Sequence, residues 1–327
     1  MAPKDRPLTS IEICAGAGGQ AIGLHQAGFK HLALVEIDKH AVETLEWNIK
    51  HRSNWSWEKQ YCDVVSDDVN NFRPIPSERH PDAGLKKPVE FLGGHLRRGD
   101  LDLLAGGVPC PPFSHAGKQL GKDDERDLFP RMLELVDELH PKAVMIENVR
   151  GIKDAKFVDY RTYIEARLAG GRAKRPETGV EEDFVGMGYE ICEWEVLEAS
   201  DFGVPQLRPR AVLVAIRKDV LGNIKFVWPT PEGEVFSVYR ALKESMKARY
   251  EPYISMGGDV GKTARESLDR WLRQASRAAV EKKDGGIAPT LVGGSKKHGG
   301  ADLGPSRAKA AWETLGVSGM GVANTYE

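Results

Sequence analysis

The stretch Gly106-Gly107-Val108-Pro109-Cys110-Pro111-Pro112-Phe113-Ser114 sets a cysteine among prolines directly after an apolar run. A thiol at the carboxyl end of a parallel strand lies where α/β sheets gather their ligands, and a turn or helix start after it lowers its pKa toward the nucleophilic thiolate. Structural cysteines usually sit inside apolar runs, as Cys192 does. The four cysteines, Cys14, Cys62, Cys110 and Cys192, form no CxxC pair and no Cys/His cluster at zinc-ligand spacing. Neither a disulfide framework nor a metal site is therefore expected, and Cys110, flanked by prolines in a loop, is either a nucleophile or a structural thiol.

Three further groups carry chemistry. Ile13-Cys14-Ala15-Gly16-Ala17-Gly18-Gly19 is a glycine-rich turn leaving an apolar run, and Glu36 follows about twenty residues later in Val35-Glu36-Ile37-Asp38. Glycines there let a ligand approach the backbone, and an acid at the end of the second strand can accept both hydroxyls of a ribose. This pair favours a nucleoside cofactor without separating NAD from S-adenosylmethionine. Val144-Met145-Ile146-Glu147-Asn148-Val149 is another strand running into polar residues, which either cap the next helix or present an acid. Gln206-Leu207-Arg208-Pro209-Arg210 brings three polar side chains to the entrance of a strand, with Arg208 and Arg210 on one face, as a catalytic pair or a solvated basic edge.

The elements that must hold these residues alternate. Strands are predicted at 10–14, 32–36, 101–106, 143–147, 189–197 and 210–216. Helices are predicted at 19–27, 39–48 and 129–140, the last with Met132, Val136 and Leu139 on one face. The pattern is that of an α/β fold, a Rossmann-like, mostly parallel sheet. Residues 73–100 and 167–183 are polar and read as loops or insertions. After Trp228-Pro229-Thr230-Pro231 no βαβ unit is visible; helices are predicted at 236–249 and 260–281, and the boundary falls between a catalytic domain, 1–230, and a smaller, irregular domain, 231–327. The chain carries 46 Lys plus Arg against 48 Asp plus Glu, so any polyanion contact must be local. Between Lys262 and Lys309 there are 11 basic and 5 acidic residues, a local balance of +6. No run approaches a membrane span and no signal peptide is evident, so a cytoplasmic setting is expected.

In order and spacing, Pro109-Cys110, Glu147-Asn148-Val149, Gln206-x-Arg208-x-Arg210 and the later Pro289-Thr290-Leu291 resemble the cytosine-C5 DNA methyltransferases. The resemblance implies transfer of a methyl group from S-adenosylmethionine to C5 of a cytosine flipped out of double-stranded DNA, within a restriction-modification system. It implies that Cys110 attacks C6, that Glu147 acts at N3 with Asn148 beside it, and that Arg210, with Arg208, serves the cytosine O2. For the cofactor it implies Cys14, Ala15, Gly16, Gly18 and Gly19 in the turn, Glu36 on the ribose, Ile37 on the adenine, Asp63 and Val64 at the exocyclic amine, and Pro109 and Leu128 closing the pocket. Cys14 stands where the family usually has phenylalanine, and Ile37 where an aromatic is frequent, which reduces stacking area. Toward DNA it implies Ser114 and Lys118 in a mobile loop, Gln206, and Thr290 with Lys296 and Lys297 in a target-recognition domain. Two motifs of the family, an Arg-Glu-Cys-Ala-Arg-like helix and a Gly-Asn segment, are not found before Glu327. A smaller second polypeptide carrying both, in a heterodimer, is the expectation; a truncated or decayed chain is its alternative. An RNA cytosine-C5 methyltransferase, an inactive DNA-binding remnant and an NAD oxidoreductase are the competing functions.

Overall fold

The computed structural model describes residues 6–87, 89–109, 127–231, 233–290 and 306–317. The first apolar run forms β1 (Thr9–Ile13), buried at every position, and turns through Cys14 (φ 53°), Gly16 (54°) and Gly18 (91°) into α1 (Gly19–Gln26). Left-handed backbone at three of five consecutive residues is what a glycine-rich stretch permits. A Cβ on Gly18 would sit 2.8 Å from Leu45 Cδ2, so that glycine also admits close helix packing. β2 (Lys30–Glu36) follows, then α2 (Lys39–His51), whose N-cap Asp38 accepts the Ala41 N–H at 2.9 Å. α3 (Ser56–Tyr61) leads into the four-residue β3 (Asp63–Ser66).

β4 (Leu103–Gly106) precedes α4 (Phe129–Leu139), which has Pro130 in its first turn and ends where His140 turns left-handed before Pro141. Met132, Val136 and Leu139 are all fully buried. β5 (Ala143–Val149), α5 (Val158–Ala169), the antiparallel pair β6 (Gly171–Lys174) and β7 (Glu181–Phe184), β8 (Tyr189–Glu198), β9 (Pro209–Arg217) and α6 (Lys218–Leu221) complete the first part of the chain. The pair β6–β7 lies where residues 167–183 read as a polar loop.

Seven strands form one sheet in the order β3-β2-β1-β4-β5-β9-β8, with the β3–β2, β2–β1, β1–β4 and β4–β5 pairs parallel. The Rossmann-like reading holds. From β1 the chain winds outward through β2 and β3, then returns to β4 on the other side. The strand order therefore reverses between β1 and β4, and a crevice opens at their carboxyl ends. The core face carries Ile11, Ile13, Leu104, Val144 and Ile146 against α4 and α5, all fully buried.

The chain divides into two compact units, Met1–Val196 with Ala211–Val227, and Leu197–Arg210 with Trp228–Glu327. In the second unit α7 (Val238–Ser255), capped by Ser237, packs along α8 (Gly258–Glu281), which buries Ala264, Trp271, Ala275 and Ala278; α9 (Ser306–Thr314) adds Trp312 to the cluster of Val238, Ala278 and Ala288. None of the described helices is long and apolar enough to cross a membrane.

Candidate active site

A cavity of about 360 Å³ opens at the reversal point, lined by Cys14, Val35, Glu36, Ile37, Asp67, Asp68, Val69, Pro109 and Leu128. That volume lies within the roughly 300–1,000 Å³ usual for small-ligand pockets. Four strand ends supply the lining: Cys14 follows β1, Glu36 ends β2 and Ile37 follows it, Asp67 and Asp68 follow β3, and Pro109 comes after β4. The walls are mostly aliphatic, with carboxylates at one side. Leu128 donates its N–H to the Pro109 carbonyl (3.4 Å), joining two of the lining residues.

Glu36 organises the turn. One of its oxygens accepts the Gly16 N–H at 2.7 Å and the other the N–H groups of Ile37 and Asp38 at 2.9 and 2.8 Å. The carboxylate thus ties the glycine turn to the end of β2, with the Ala15 N–H bonded to the Val35 carbonyl (3.1 Å) alongside. Three accepted bonds out of about four lone-pair sites leave room for a hydroxyl. A Cβ on Gly16 would meet nothing within 4 Å, so this backbone faces open space. Burial, then the charges of Glu36, Asp68 and Glu12, push the Cys14 thiol up to about 12. It is an apolar wall at neutral pH and no nucleophile.

Asp63 and Val64 stand apart from this cavity. Asp63 begins β3, is 7% exposed, and accepts the N–H groups of Lys86 (2.5 Å) and Lys87 (3.3 Å), so it pins the following insertion. Val64 packs on the cluster of Ala15, Ala21 and Leu34. The acids at the pocket are Asp67 and Asp68, which the sequence reading passed over. Their signal was present: Val64-Val65-Ser66-Asp67-Asp68 repeats, in a shorter run, the apolar-then-acid pattern that marked Glu36.

At the end of β5, Asn148 is 5% exposed; its side-chain N–H donates to the Val108 carbonyl (2.9 Å), and its own oxygen accepts the Val149 N–H (2.8 Å). Glu147 Oε2 lies 3.3 Å from where a Cβ on Gly107 would stand, so a side chain there would push that carboxylate by a few tenths of an ångström. Glu147 and Asn148 are thereby set against Gly107-Val108-Pro109, the residues that lead into Cys110. Cys110 itself, with Ser114 and Lys118, lies outside the described residues, as do Lys296 and Lys297.

Within the second unit, Gln206 forms a parallel bridge with Ala288, the Leu207 N–H donates to the Ala288 carbonyl (2.7 Å), and the Thr290 hydroxyl donates to the Leu207 carbonyl (2.5 Å). The Arg208 N–H donates to Glu198, and Arg210 donates to the Pro209 carbonyl (2.9 Å). The structure therefore joins Gln206–Arg210 to Thr290, more than eighty residues on.

The sequence model of the C-5 cytosine-specific DNA methylase family matches residues 8–283. The Type II methyltransferase M.NaeI of Lentzea aerocolonigenes is 44% identical over 317 residues, 97% of this chain and 60% of that one. M.NgoMIV of Neisseria gonorrhoeae is 45% identical over 227 residues, 69% of this chain and 57% of its own. A crystal structure described as a prophage-encoded DNA modification methyltransferase of E. coli superposes with a TM-score of 0.50 at 25% identity, covering 72% of this chain and 54% of that one. The chain thus spans about three-fifths of the length of the first two relatives. These carry the matched stretch within a longer polypeptide and lend no support to a separate second chain.

Proposed function

Because the chain belongs to the C-5 cytosine-specific DNA methylase family, we propose that it methylates C5 of cytosine in double-stranded DNA as the modification enzyme of a restriction-modification system. The observation that carries this reading is the juxtaposition at the reversal point of the sheet: a nucleoside-sized pocket with Glu36 anchored in it, beside Glu147 and Asn148 packed on the segment that leads into Cys110.

S-adenosylmethionine supplies the methyl group in this chemistry, and the pocket suits it. Val35, Ile37, Val69, Pro109 and Leu128 offer aliphatic surface to an adenine, Asp67 and Asp68 offer acceptors for its amine, and Glu36 has capacity for a ribose hydroxyl. This assigns to Asp67 and Asp68 the part that the sequence reading gave to Asp63. The open face of Gly16 leaves space for the remainder of the ligand.

The protein's own groups divide the remaining work. Cys110 adds as thiolate to C6 of a cytosine rotated out of the duplex, which destroys aromaticity and makes C5 nucleophilic. Glu147 holds or donates a proton at N3, which makes that addition easier. Asn148 keeps Val108, and with it the start of the Cys110 segment, in place. Arg208 and Arg210 provide positive charge toward the cytosine O2. Loss of the C5 proton and expulsion of Cys110 complete the cycle. Ser114, Lys118, Gln206, Thr290, Lys296 and Lys297 are assigned to the DNA, and 231–327 to its recognition.

Incorporation of tritiated methyl groups into DNA and, in parallel, into transfer RNA is the test. The wild type labels DNA only, Cys110→Ser labels neither while still binding S-adenosylmethionine, and DNA containing 5-fluorocytosine traps the wild type covalently. Methylation of DNA by Cys110→Ser at the wild-type rate would refute the mechanism.

A further inference from the structure

α4 buries a charge. Arg131 is 5% exposed, on a helix that otherwise turns Phe129, Met132, Leu133, Leu135, Val136 and Leu139 inward. A buried guanidinium is costly unless its N–H groups find acceptors. Here all five do: Nε donates to the Val69 carbonyl (3.3 Å), Nη2 to the Phe72 carbonyl (2.7 Å) and Glu138 (3.4 Å), and Nη1 to Glu134 and Glu138 (2.8 Å each). No N–H is left over for a ligand, so Arg131 can act on the pocket only through the carbonyls it holds.

Those carbonyls belong to the turn that follows β3. Asp67, Asp68 and Val69 of this turn line the pocket. Within the turn, Asp68 accepts the Asn70 N–H (2.8 Å), Asp67 accepts the Asn71 side-chain N–H (3.0 Å), and the Phe72 N–H donates to the Val69 carbonyl (3.1 Å). Bonds of such short reach fix the shape of the turn and not its place. Its tie to another element is Arg131, 59 residues beyond Phe72.

The same helix end forms the facing wall. Leu128 also lines the pocket; its carbonyl accepts the Met132 N–H at the start of α4 (2.9 Å), and its N–H donates to the Pro109 carbonyl (3.4 Å). Three residues of helix, about 4.5 Å, separate Leu128 from Arg131. One rigid turn thus sets the span between the acid-bearing turn and the Leu128–Pro109 wall.

We propose that Arg131 is a positioning residue of the methyl-donor site: it holds the turn carrying Asp67 and Asp68 against the start of α4, and so sets the affinity for the adenosine part of the ligand. The proposal rests on the reading of this pocket given above. Without Arg131 the Val69 carbonyl keeps the Phe72 N–H and the Phe72 carbonyl keeps Arg73 Nη1 (2.9 Å). Glu134 and Glu138 line a second cavity, of about 470 Å³, where water can solvate them. The turn survives the loss, but its placement does not.

Calorimetry with S-adenosylmethionine, S-adenosylhomocysteine and 5′-methylthioadenosine, which lacks the amino-acid part, tests this on folded wild type and Arg131→Met. The variant is expected to bind all three about tenfold more weakly, by one common factor, since adenosine is what they share. Asp67→Asn and Asp68→Asn, alone and combined with Arg131→Met, complete a double-mutant cycle. A residue acting through the turn gives a combined loss smaller than the product of the single losses, whereas general destabilisation gives independent factors. Wild-type affinity in Arg131→Met, a loss that spares 5′-methylthioadenosine, independent factors in the cycle, or no effect of either aspartate variant overturns the proposal and leaves the pocket assignment standing. Should Arg131→Met not fold, Arg131→Lys takes its place in every arm: it keeps the charge and the stem, but one ammonium cannot serve both carbonyls and both carboxylates. Failure of the wild type to bind any of the three refutes the pocket assignment, and this proposal with it.

Discussion

Replacing Glu36 with alanine removes one acceptor and leaves three backbone donors without it. The N–H groups of Ile37 and Asp38 are exposed, and water can take over both bonds. The Gly16 N–H is part-buried at the fold of the turn, so its loss dominates; a hydrogen bond to a charged group contributes about 1.5–3 kcal/mol. We expect the ligand-free protein to lose about 2 kcal/mol, a fall in melting temperature of roughly 4–8 °C for a unit of this size. The effect on ligand binding is separate. A charged acceptor facing a ribose adds a similar 1–3 kcal/mol, so affinity for S-adenosylmethionine should drop roughly five- to 150-fold beyond any effect of unfolding. Glu36→Gln distinguishes the two roles, because its single carbonyl can serve Gly16 or the Ile37–Asp38 pair but not both. It should fall between wild type and alanine in melting temperature. Thermal melts without ligand, followed by calorimetry at a temperature where all variants are folded, give both quantities. A Glu36→Ala protein that melts with the wild type and binds the donor equally well would refute the anchoring of the turn and the placement of the pocket together.

Asp68→Asn and Asp67→Asn should each weaken donor binding, about tenfold for the acid that meets the amine, whereas Asp63→Asn should lower the melting temperature and leave binding unchanged; calorimetry and melts on the three variants check the reassignment. Asn148→Ala strips the buried Val108 carbonyl of its partner and should cost about 1–3 kcal/mol in urea unfolding. Asp102 is 4% exposed and bonded by Arg6 and Lys142; burial works against its ionisation, but Lys142, the Thr9 N–H and Arg6 outweigh it and hold its carboxyl below the ordinary range. A depressed carboxyl stabilises fully above its unfolded value, near 4, and the contribution is lost as pH falls through the lower folded value. The difference in urea midpoint between wild type and Asp102→Asn should therefore be constant at neutral pH and shrink below about pH 4; a difference independent of pH would count against it.

Much of the site is written locally. β1, the glycine turn, α1 and β2 with Glu36 at its end were legible because a buried parallel strand is a short apolar run, the turn needs glycine at positive φ, and both signals lie within a few residues. Glu36 is named from such signals and Cys14, Ile37, Pro109 and Leu128 from the resemblance to the family, and the five line one cavity. α4 was legible from the spacing of Met132, Val136 and Leu139. The tertiary structure decided the rest. β3 has four residues, only two of them apolar, and is a strand because it pairs with β2; without that pairing Asp63 and Asp68 cannot be told apart as pocket acids. What separates them is the insertion, whose Lys86 and Lys87 N–H groups claim Asp63 from more than twenty residues away. The bond from Asn148 to Val108 spans forty residues, and that from Thr290 to Leu207 spans 83. β6 and β7 show no apolar alternation, since each pairs only with the other, and so they read as loop. A periodicity reports which face of an element is buried, not what that face meets; partners distant in sequence are chosen by the order of the strands, and it is that order, reversing between β1 and β4, that gathers these side chains around one cavity.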